Sequence, residues 1–132
     1  EYRHTSGWQP GIIVRVGLGW TLEPDAEVLN NVRKATQKRV QSQPLDMPSG
    51  GSTFQNPPGE KAARLIDQCG LKGRRGGGAS VSTKHANFIV NDQNAKADDI
   101  LALIKEVQNE VKVQKSISLQ TEVILFGGWE HK

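Results

Sequence analysis

Hydrophobic and polar positions divide the chain into segments with two different periods. Near the N-terminus, apolar residues occupy every second position, a pattern that predicts a strand with one buried face. The alternating residues are Ile12, Val14, Val16 and Leu18. Residues 119–126 alternate in the same way and predict the last strand. A short apolar run around residues 88–90 predicts a strand between these two.

Three other segments have the apolar spacing of helices. The first begins at Pro24 and Asp25 and extends to about Gln41, with Pro44 just beyond it. The second has apolar residues at i, i+3, i+4 and i+7, namely Ala62, Leu65, Ile66 and Cys69. Gly70 follows where a C-cap glycine belongs. The third, residues 97–113, has one apolar face made by Ile100, Ile104, Val107 and Val111. Helices mixed with short strands predict an α+β fold.

The stretch PSGGSTFQNPPG, residues 48–59, is rich in glycine and proline and predicts a loop that is neither helix nor strand. It contains Ser52 between Gly-Gly and Thr-Phe. The G-x-S-x-G pattern of hydrolases requires glycine where Phe54 stands, which disfavours a serine hydrolase. A rigidly held serine presents its proton in one direction, as general acid catalysis requires. A turn hydroxyl bonded to nearby backbone is the alternative.

Composition narrows the classes of protein that fit. The chain has 132 residues, enough for one ordinary domain, and a net charge of +3. No apolar run approaches the roughly 20 residues of a membrane span. The single cysteine, Cys69, cannot form an internal disulfide, which favours a reducing compartment. The chain does not begin with Met, so we expect it to be the C-terminal part of something longer.

Three further features carry candidate chemistry. GRRGGG, residues 73–78, lacks the lysine of a P-loop and the repeats and aromatics of an RNA-binding segment. Close backbone packing is the remaining interpretation, with Arg74 and Arg75 solvated or facing an anionic ligand. Glu122 alternates with apolar residues of its strand, so it lies at a sheet edge or faces a cleft. His85 has no second His or Cys at metal-ligand spacing, so no metal site is predicted.

Four motifs, taken in order, resemble one known family. They are PSGGSTFQNPPG, AARLIDQCGLKG, GGASVSTKHANFIVN and the Glu-Val-x-x-x-Gly of EVILFG. Together they are similar to the C-terminal half of UDP-N-acetylenolpyruvoylglucosamine reductase (MurB). The likeness extends upstream to YRHTS and to the run from Arg39 to Pro44. It implies an α+β substrate-binding domain at residues 44–132, preceded at residues 1–43 by the end of an FAD-binding domain and a connecting helix.

The resemblance also implies a reaction and its residues. In this family FAD takes a hydride from NADPH and passes it to the enolpyruvyl double bond, giving UDP-N-acetylmuramate for peptidoglycan. Ser52 stands at the position of the proton donor, and Glu122 at that of the assisting glutamate. Substrate contacts are implied for Asn56, Arg39, Tyr2 and His85, with Lys84 as the alternative to His85. Gln55 and Ser42 replace lysines found in some members, which leaves the diphosphate contacts open.

The implied partners are a small-molecule UDP-sugar, FAD and NADPH, with flavin binding mostly upstream of this chain. Neither nucleic acid nor a membrane is expected, and a monomer in the bacterial cytoplasm, or in a plastid, is favoured. Two other classes stay open. One is a noncatalytic UDP-sugar-binding module that lacks its flavin domain. The other is a basic RNA-binding module centred on GRRGGG.

Overall fold

The computed structural model describes residue 12, residues 14–19 and residues 26–125. Within these ranges the helices are α1 (Ala26–Ser42), α2 (Ala62–Gln68) and α3 (Ala97–Lys115). The strands are β1 (Ser49–Ser52), β2 (Arg75–Gly76), β3 (Ala79–Val81) and β4 (Phe88–Asn91). This mixture confirms the predicted α+β class. Among the described helices, none is long and apolar enough to cross a membrane.

The four strands form one antiparallel sheet in the order β1-β4-β3-β2. On one side of β4, Ile89 lies opposite Val81 of β3, and on the other side Phe88 lies opposite Ser52 of β1. The register of β1 shifts between Ser49 and Ser52, which is the signature of a bulge. The prediction that residues 48–59 contain no strand was therefore wrong at β1. Glycines conceal the alternation from which a strand is recognised, yet their backbone pairs with β4.

The core lies where α2 and α3 pack on the sheet. The predicted apolar faces of both helices are confirmed, because the residues that point inward are almost completely buried. Six of the predicted residues are buried, namely Ala62, Leu65, Ile66, Ile104, Val107 and Val111. The predicted Ile100 is only partly buried against the core, and Leu103, which was not predicted, is buried beside it. Cys69 is half-buried against the same cluster, and burial raises the pKa of its thiol. Burial of apolar side chains of this kind is the dominant favourable contribution to folding.

The segment before β1 is different, because its apolar residues are exposed. Helix α1 is confirmed, but Val28, Leu29 and Val32 are each more than half exposed. The predicted strand at residues 12–18 was wrong for the described residues, where Ile12 and Val14 are each 92% exposed and no strand forms. A strand requires a neighbour for its backbone N–H and C=O groups, and the described sheet offers none to this segment.

The strand predicted at residues 119–126 was also wrong over its described part. Residues 119–125 make one isolated bridge, between Thr121 and Phe54. The alternation nevertheless indicated which side chains face inward, because Leu119 is buried and Val123 packs against the core while Ile124 is exposed. An alternating pattern indicates which side chains are buried, but a strand also requires a neighbouring strand to bond with along its length. Here the neighbouring segment pairs only over residues 53–55.

Candidate functional site

Ser52 lies at the end of β1, directly after the bulge. Gly51 has a φ of +84°, a conformation that glycine adopts without steric cost, and it turns the chain just before the serine. Ser52 is exposed, and its position is held by pairing with Phe88 of β4. The glycine-rich approach therefore fixes the backbone at the serine and leaves the side chain accessible.

An open cleft of about 410 Å³ borders Ser52. Its wall is formed by the last turn of α1, the connection to β1, β1 itself and the first residue of β4. The residues around Ser52 in this cleft are Arg39, Gln43, Pro44, Leu45, Met47, Ser49, Gly51 and Phe88. The Arg39 Nε donates a hydrogen bond to the Gln43 Oε1 at 3.2 Å. The structure thus brings Arg39 and Ser52, two residues singled out in the sequence, to the same cleft.

Glu122 lies next to the serine segment, although it is far away in the sequence. Its backbone N–H donates to the C=O of Thr53, the residue after Ser52, at 2.8 Å. A second bond, from the Gln55 N–H to the Gln120 C=O at 2.9 Å, fixes the same pair of segments. Glu122 is half-buried. Ser52 and Glu122 are therefore held at neighbouring positions by backbone hydrogen bonds.

Asn56 and His85 have contacts of their own near the site. The Asn56 Oδ1 accepts the N–H of Ala62, the first residue of α2, at 3.0 Å, which leaves its amide nitrogen for other contacts. The His85 ring meets Phe88 edge to face at 4.9 Å, and its Nδ1 accepts the Asn87 N–H at 3.3 Å. Burial, and then the charge of Lys72, lowers the pKa of His85. Tyr2 lies outside the described residues.

A second open cleft of about 470 Å³ adjoins the first, since Pro44 and Met47 line both. Its most polar wall is an ion pair, in which Arg75 donates two hydrogen bonds to Asp92 at 2.9 and 2.7 Å. Ser80 adds a third bond to the same carboxylate at 3.0 Å. The hydrogen bonds from Arg75 hold the pKa of Asp92 below its ordinary value. Arg75 is thus already matched by an acidic partner.

The glycines of GRRGGG are packed against the protein rather than open to a ligand. A Cβ at Gly77 would meet the Asp99 carboxylate, and one at Gly78 would collide with the Gln93 C=O. The Arg74 Nε donates to Glu106 at 2.6 Å. The predicted close backbone packing is confirmed. Because a carboxylate fills the space that a phosphate would need, these residues do not fit the diphosphate of a flavin or nicotinamide dinucleotide.

The sequence did not predict the structural roles of two residues, Lys84 and Asn87. The Lys84 Nζ donates to the C=O of Val40 in α1 at 2.7 Å and so ties that helix to the β3–β4 loop. Asn87 is 5% exposed and bonds to the backbone of Phe54. An asparagine inside the apolar run HANFIV was the available signal, because a buried amide requires partners. Among residues 26–125, no group of three or more His, Cys, Asp or Glu could hold a metal ion.

Comparisons with known proteins agree on one family. A family model described as UDP-N-acetylenolpyruvoylglucosamine reductase, C-terminal domain, matches residues 43–126. The reductase of that name from Thiobacillus denitrificans is 45% identical over 128 residues, or 96% of this chain and 40% of the relative. The one from Syntrophotalea carbinolica is 46% identical over 124 residues, or 93% of this chain and 42% of the relative.

A solved structure gives the same result. The crystal structure of UDP-N-acetylenolpyruvylglucosamine reductase (MurB) from Thermus caldophilus matches with a TM-score of 0.65 at 42% identity. The match covers 75% of this chain and 34% of that one. The α+β domain with its serine-lined cleft therefore belongs to the UDP-N-acetylenolpyruvoylglucosamine reductase family, which confirms the resemblance found in the motifs. The chain spans about two-fifths of the length of these curated relatives.

Proposed function

We propose that this chain is the substrate-binding part of a reductase that converts UDP-N-acetylglucosamine enolpyruvate to UDP-N-acetylmuramate for peptidoglycan synthesis in the bacterial cytoplasm. Family membership supports the reaction, since the relatives that match most of the chain are named for it. The observation that carries the proposal for this chain is the cleft in which Ser52 and Arg39 meet, with Glu122 tied to the residue after the serine.

In the proposed reaction, Ser52 donates a proton. A hydride and its two electrons add to one carbon of the enolpyruvyl double bond, and the neighbouring carbon becomes nucleophilic. That carbon takes the proton as the O–H bond of Ser52 breaks, and the serine regains a proton from solvent. A serine hydroxyl is a weak acid, so the transfer requires a fixed approach, which the bulge and Gly51 favour.

Arg39 acts on the negative charge that develops during this step, and Glu122 is the proposed assisting residue. As the hydride arrives, negative charge spreads from the carbon skeleton to the substrate carboxylate. A guanidinium at the wall of the cleft stabilises that charge, because polar groups fixed in advance gain most where charge increases. The backbone N–H of Glu122 bonds to the C=O of Thr53, so Glu122 lies beside Ser52, and we propose that it helps to hold the carboxylate end of the substrate. Asn56, His85 and Tyr2 are proposed substrate contacts.

The proposed cofactors are FAD, which supplies the hydride when bound, and NADPH, which reduces it. Since the glycines of GRRGGG are filled by the protein's own groups and do not fit a dinucleotide diphosphate, we assign both cofactors to a part of the whole protein upstream of this domain. In keeping with this assignment, we propose that residues 44–132 are the substrate-binding domain and that residues 1–43 belong with the flavin-binding part. The exposed apolar residues of α1 support that boundary.

The proposal is tested with the full-length protein, by following NADPH oxidation that depends on the enolpyruvyl sugar. We expect Ser52→Ala to lower kcat by a factor on the order of 10² to 10⁴, the usual contribution of a general acid. Its Kd for the substrate should change little. Ser118→Ala, an exposed serine outside this cleft, is the matched control and should behave as wild type. Tight substrate binding without turnover in the wild type would instead favour a noncatalytic UDP-sugar-binding module.

A further inference from the structure

A buried asparagine joins the two segments that carry Ser52 and Glu122. Asn87, in the loop before β4, accepts the N–H of Phe54 at its Oδ1 with a distance of 3.0 Å. Its Nδ2 donates to the C=O of the same phenylalanine at 2.8 Å. We call this pair of bonds the Asn87 clamp. Both residues are buried, with Phe54 2% and Asn87 5% exposed, so water does not compete for these groups.

The clamp stands where the pairing of β1 with β4 ends. Ser52 is the last residue of β1 that pairs with β4, and the C=O of Asn87 then accepts the N–H of Thr53 at 2.8 Å. At Phe54 the Asn87 side chain takes over. Its amide offers one acceptor and one donor to the backbone of a single residue, as a neighbouring strand would.

The opposite edge of the same segment holds Glu122. The Thr53 C=O accepts the Glu122 N–H at 2.8 Å, and the Gln55 N–H donates to Gln120 at 2.9 Å. The residue between these two, Phe54, is the one that the clamp fixes. The position of Phe54 therefore sets where the Glu122 segment lies relative to Ser52.

We propose that Asn87 is a positioning residue for the reaction, which acts by holding Phe54 and thereby the spacing of Ser52 and Glu122. This inference rests on the proposed function. Asparagine suits the position because it supplies donor and acceptor in one flat group. Aspartate lacks the donor, and alanine leaves two buried backbone groups of Phe54 without partners.

The chain contains a matched control at the other end of the same strand. The Asn91 Oδ1 accepts the N–H of Ala95 at 2.7 Å, and its Nδ2 donates to the C=O of Ala95 at 3.4 Å. This is the same two-bond arrangement on a single residue. These side-chain bonds fix the turn before α3 and do not reach the segments of Ser52 or Glu122. The Asn91 backbone N–H donates to the Pro48 C=O at 2.9 Å, and Asn91→Ala keeps that bond. Replacing either asparagine with alanine removes a similar pair of hydrogen bonds, but only the pair made by Asn87 supports the site.

The test compares Asn87→Ala with Asn91→Ala in the full-length protein. Hydrogen exchange should become faster at the amides of Phe54 and Glu122 in Asn87→Ala alone. We expect kcat to fall on the order of 10- to 100-fold in that variant, as small misplacements of reacting groups do. KM and the reduction of bound flavin by NADPH should change little, because neither depends on the spacing of Ser52 and Glu122. Asn91→Ala should keep the wild-type kcat.

Equal loss of kcat in the two variants, or an unchanged kcat in Asn87→Ala despite faster exchange at Glu122, would overturn the proposal. If Asn87→Ala does not fold, Asn87→Asp serves, since it retains the acceptor for the Phe54 N–H. Its kcat should then lie below that of Asn91→Asp, and equality would overturn the proposal. Ser52→Ala is measured in parallel. If Ser52→Ala has the wild-type kcat, the proposed function fails. The hydrogen-exchange rates at Phe54 and Glu122 still show separately whether Asn87 holds these two segments.

Discussion

Gly78 is required because there is no space for a side chain. Its φ is not in the left-handed region, but an added Cβ would collide with the Gln93 C=O and lie only 2.5 Å from the Ala95 N. Both neighbours are backbone atoms that cannot rotate away. Gly50 is a useful contrast, since a Cβ there meets only the Val123 side chain at an ordinary 3.4 Å.

Gly78→Ala should therefore lower the free energy of unfolding by about 3 kcal/mol, the upper range for overpacking, because the turn before α3 must shift. Gly50→Ala should cost less than about 1 kcal/mol, since its neighbour tolerates the methyl group. Urea denaturation of the two variants measures the difference. Equal destabilisation would show that the space around Gly78 is not what restricts it.

His85 should make stability depend on pH. Burial and the charge of Lys72 lower its pKa in the folded state below the ordinary value of 6.5. As the pH falls through about 6.5, the unfolded chain takes up the proton first, so stability decreases until the folded pKa is reached. His85→Gln should flatten this decrease, as measured by urea midpoints between pH 7.5 and 5. The other two histidines, His4 and His131, are present in both the wild type and the variant, so their contributions cancel in the difference. An unchanged slope would contradict the assignment.

The helices could be predicted from the sequence. A strand could be predicted only where its side chains are buried and its backbone also pairs with a neighbouring strand. The periodicity of α2 and α3 follows directly from the residues they bury, so their faces could be identified before the fold was known. At residues 119–125 the same kind of pattern reported burial correctly, yet pairing is limited to one bridge. The glycines of β1 and the shortness of β2 gave no pattern from which to predict a strand.

The bond from Lys84 to α1 predicts a local effect on that helix. The Nζ donates to Val40 at 2.7 Å, close to the end of α1 at Ser42. Lys84→Met should accelerate amide exchange in the last turn of α1 about fivefold, the equivalent of about 1 kcal/mol for one hydrogen bond. Lys38→Met removes the same charge from α1 itself and is the control. Equal acceleration in both variants would show that charge, rather than this bond, is responsible.

At the scale of the molecule, the buried core that the structure describes lies within one part of the chain. Every member of the main cluster falls between Phe54 and Leu119, whereas the apolar residues of α1 stay exposed. Residues 44–132 should therefore unfold cooperatively when residues 1–43 are deleted, with the same urea midpoint as residues 1–132. A non-cooperative transition would contradict the proposed boundary.

The site could be predicted in part. The motif around Ser52 and the position of Glu122 identified the two segments, and the structure joins them through Thr53. The clamp at Phe54 could not be foreseen, because Asn87 belongs to a different loop and only the fold brings it to that residue. Sequence patterns thus identified the residues with candidate chemistry, while the side chains that support them required the three-dimensional arrangement.

The central claim is that Ser52 donates the proton. The most direct measurement mixes reduced full-length protein with the enolpyruvyl sugar, stops the reaction within one turnover and quantifies the UDP-N-acetylmuramate formed. Our account predicts product formation slower by a factor on the order of 10² to 10⁴ in Ser52→Ala, with flavin reduction by NADPH unchanged. Product formed at the wild-type rate by Ser52→Ala would contradict it, and the bulge at β1 would then be structural only.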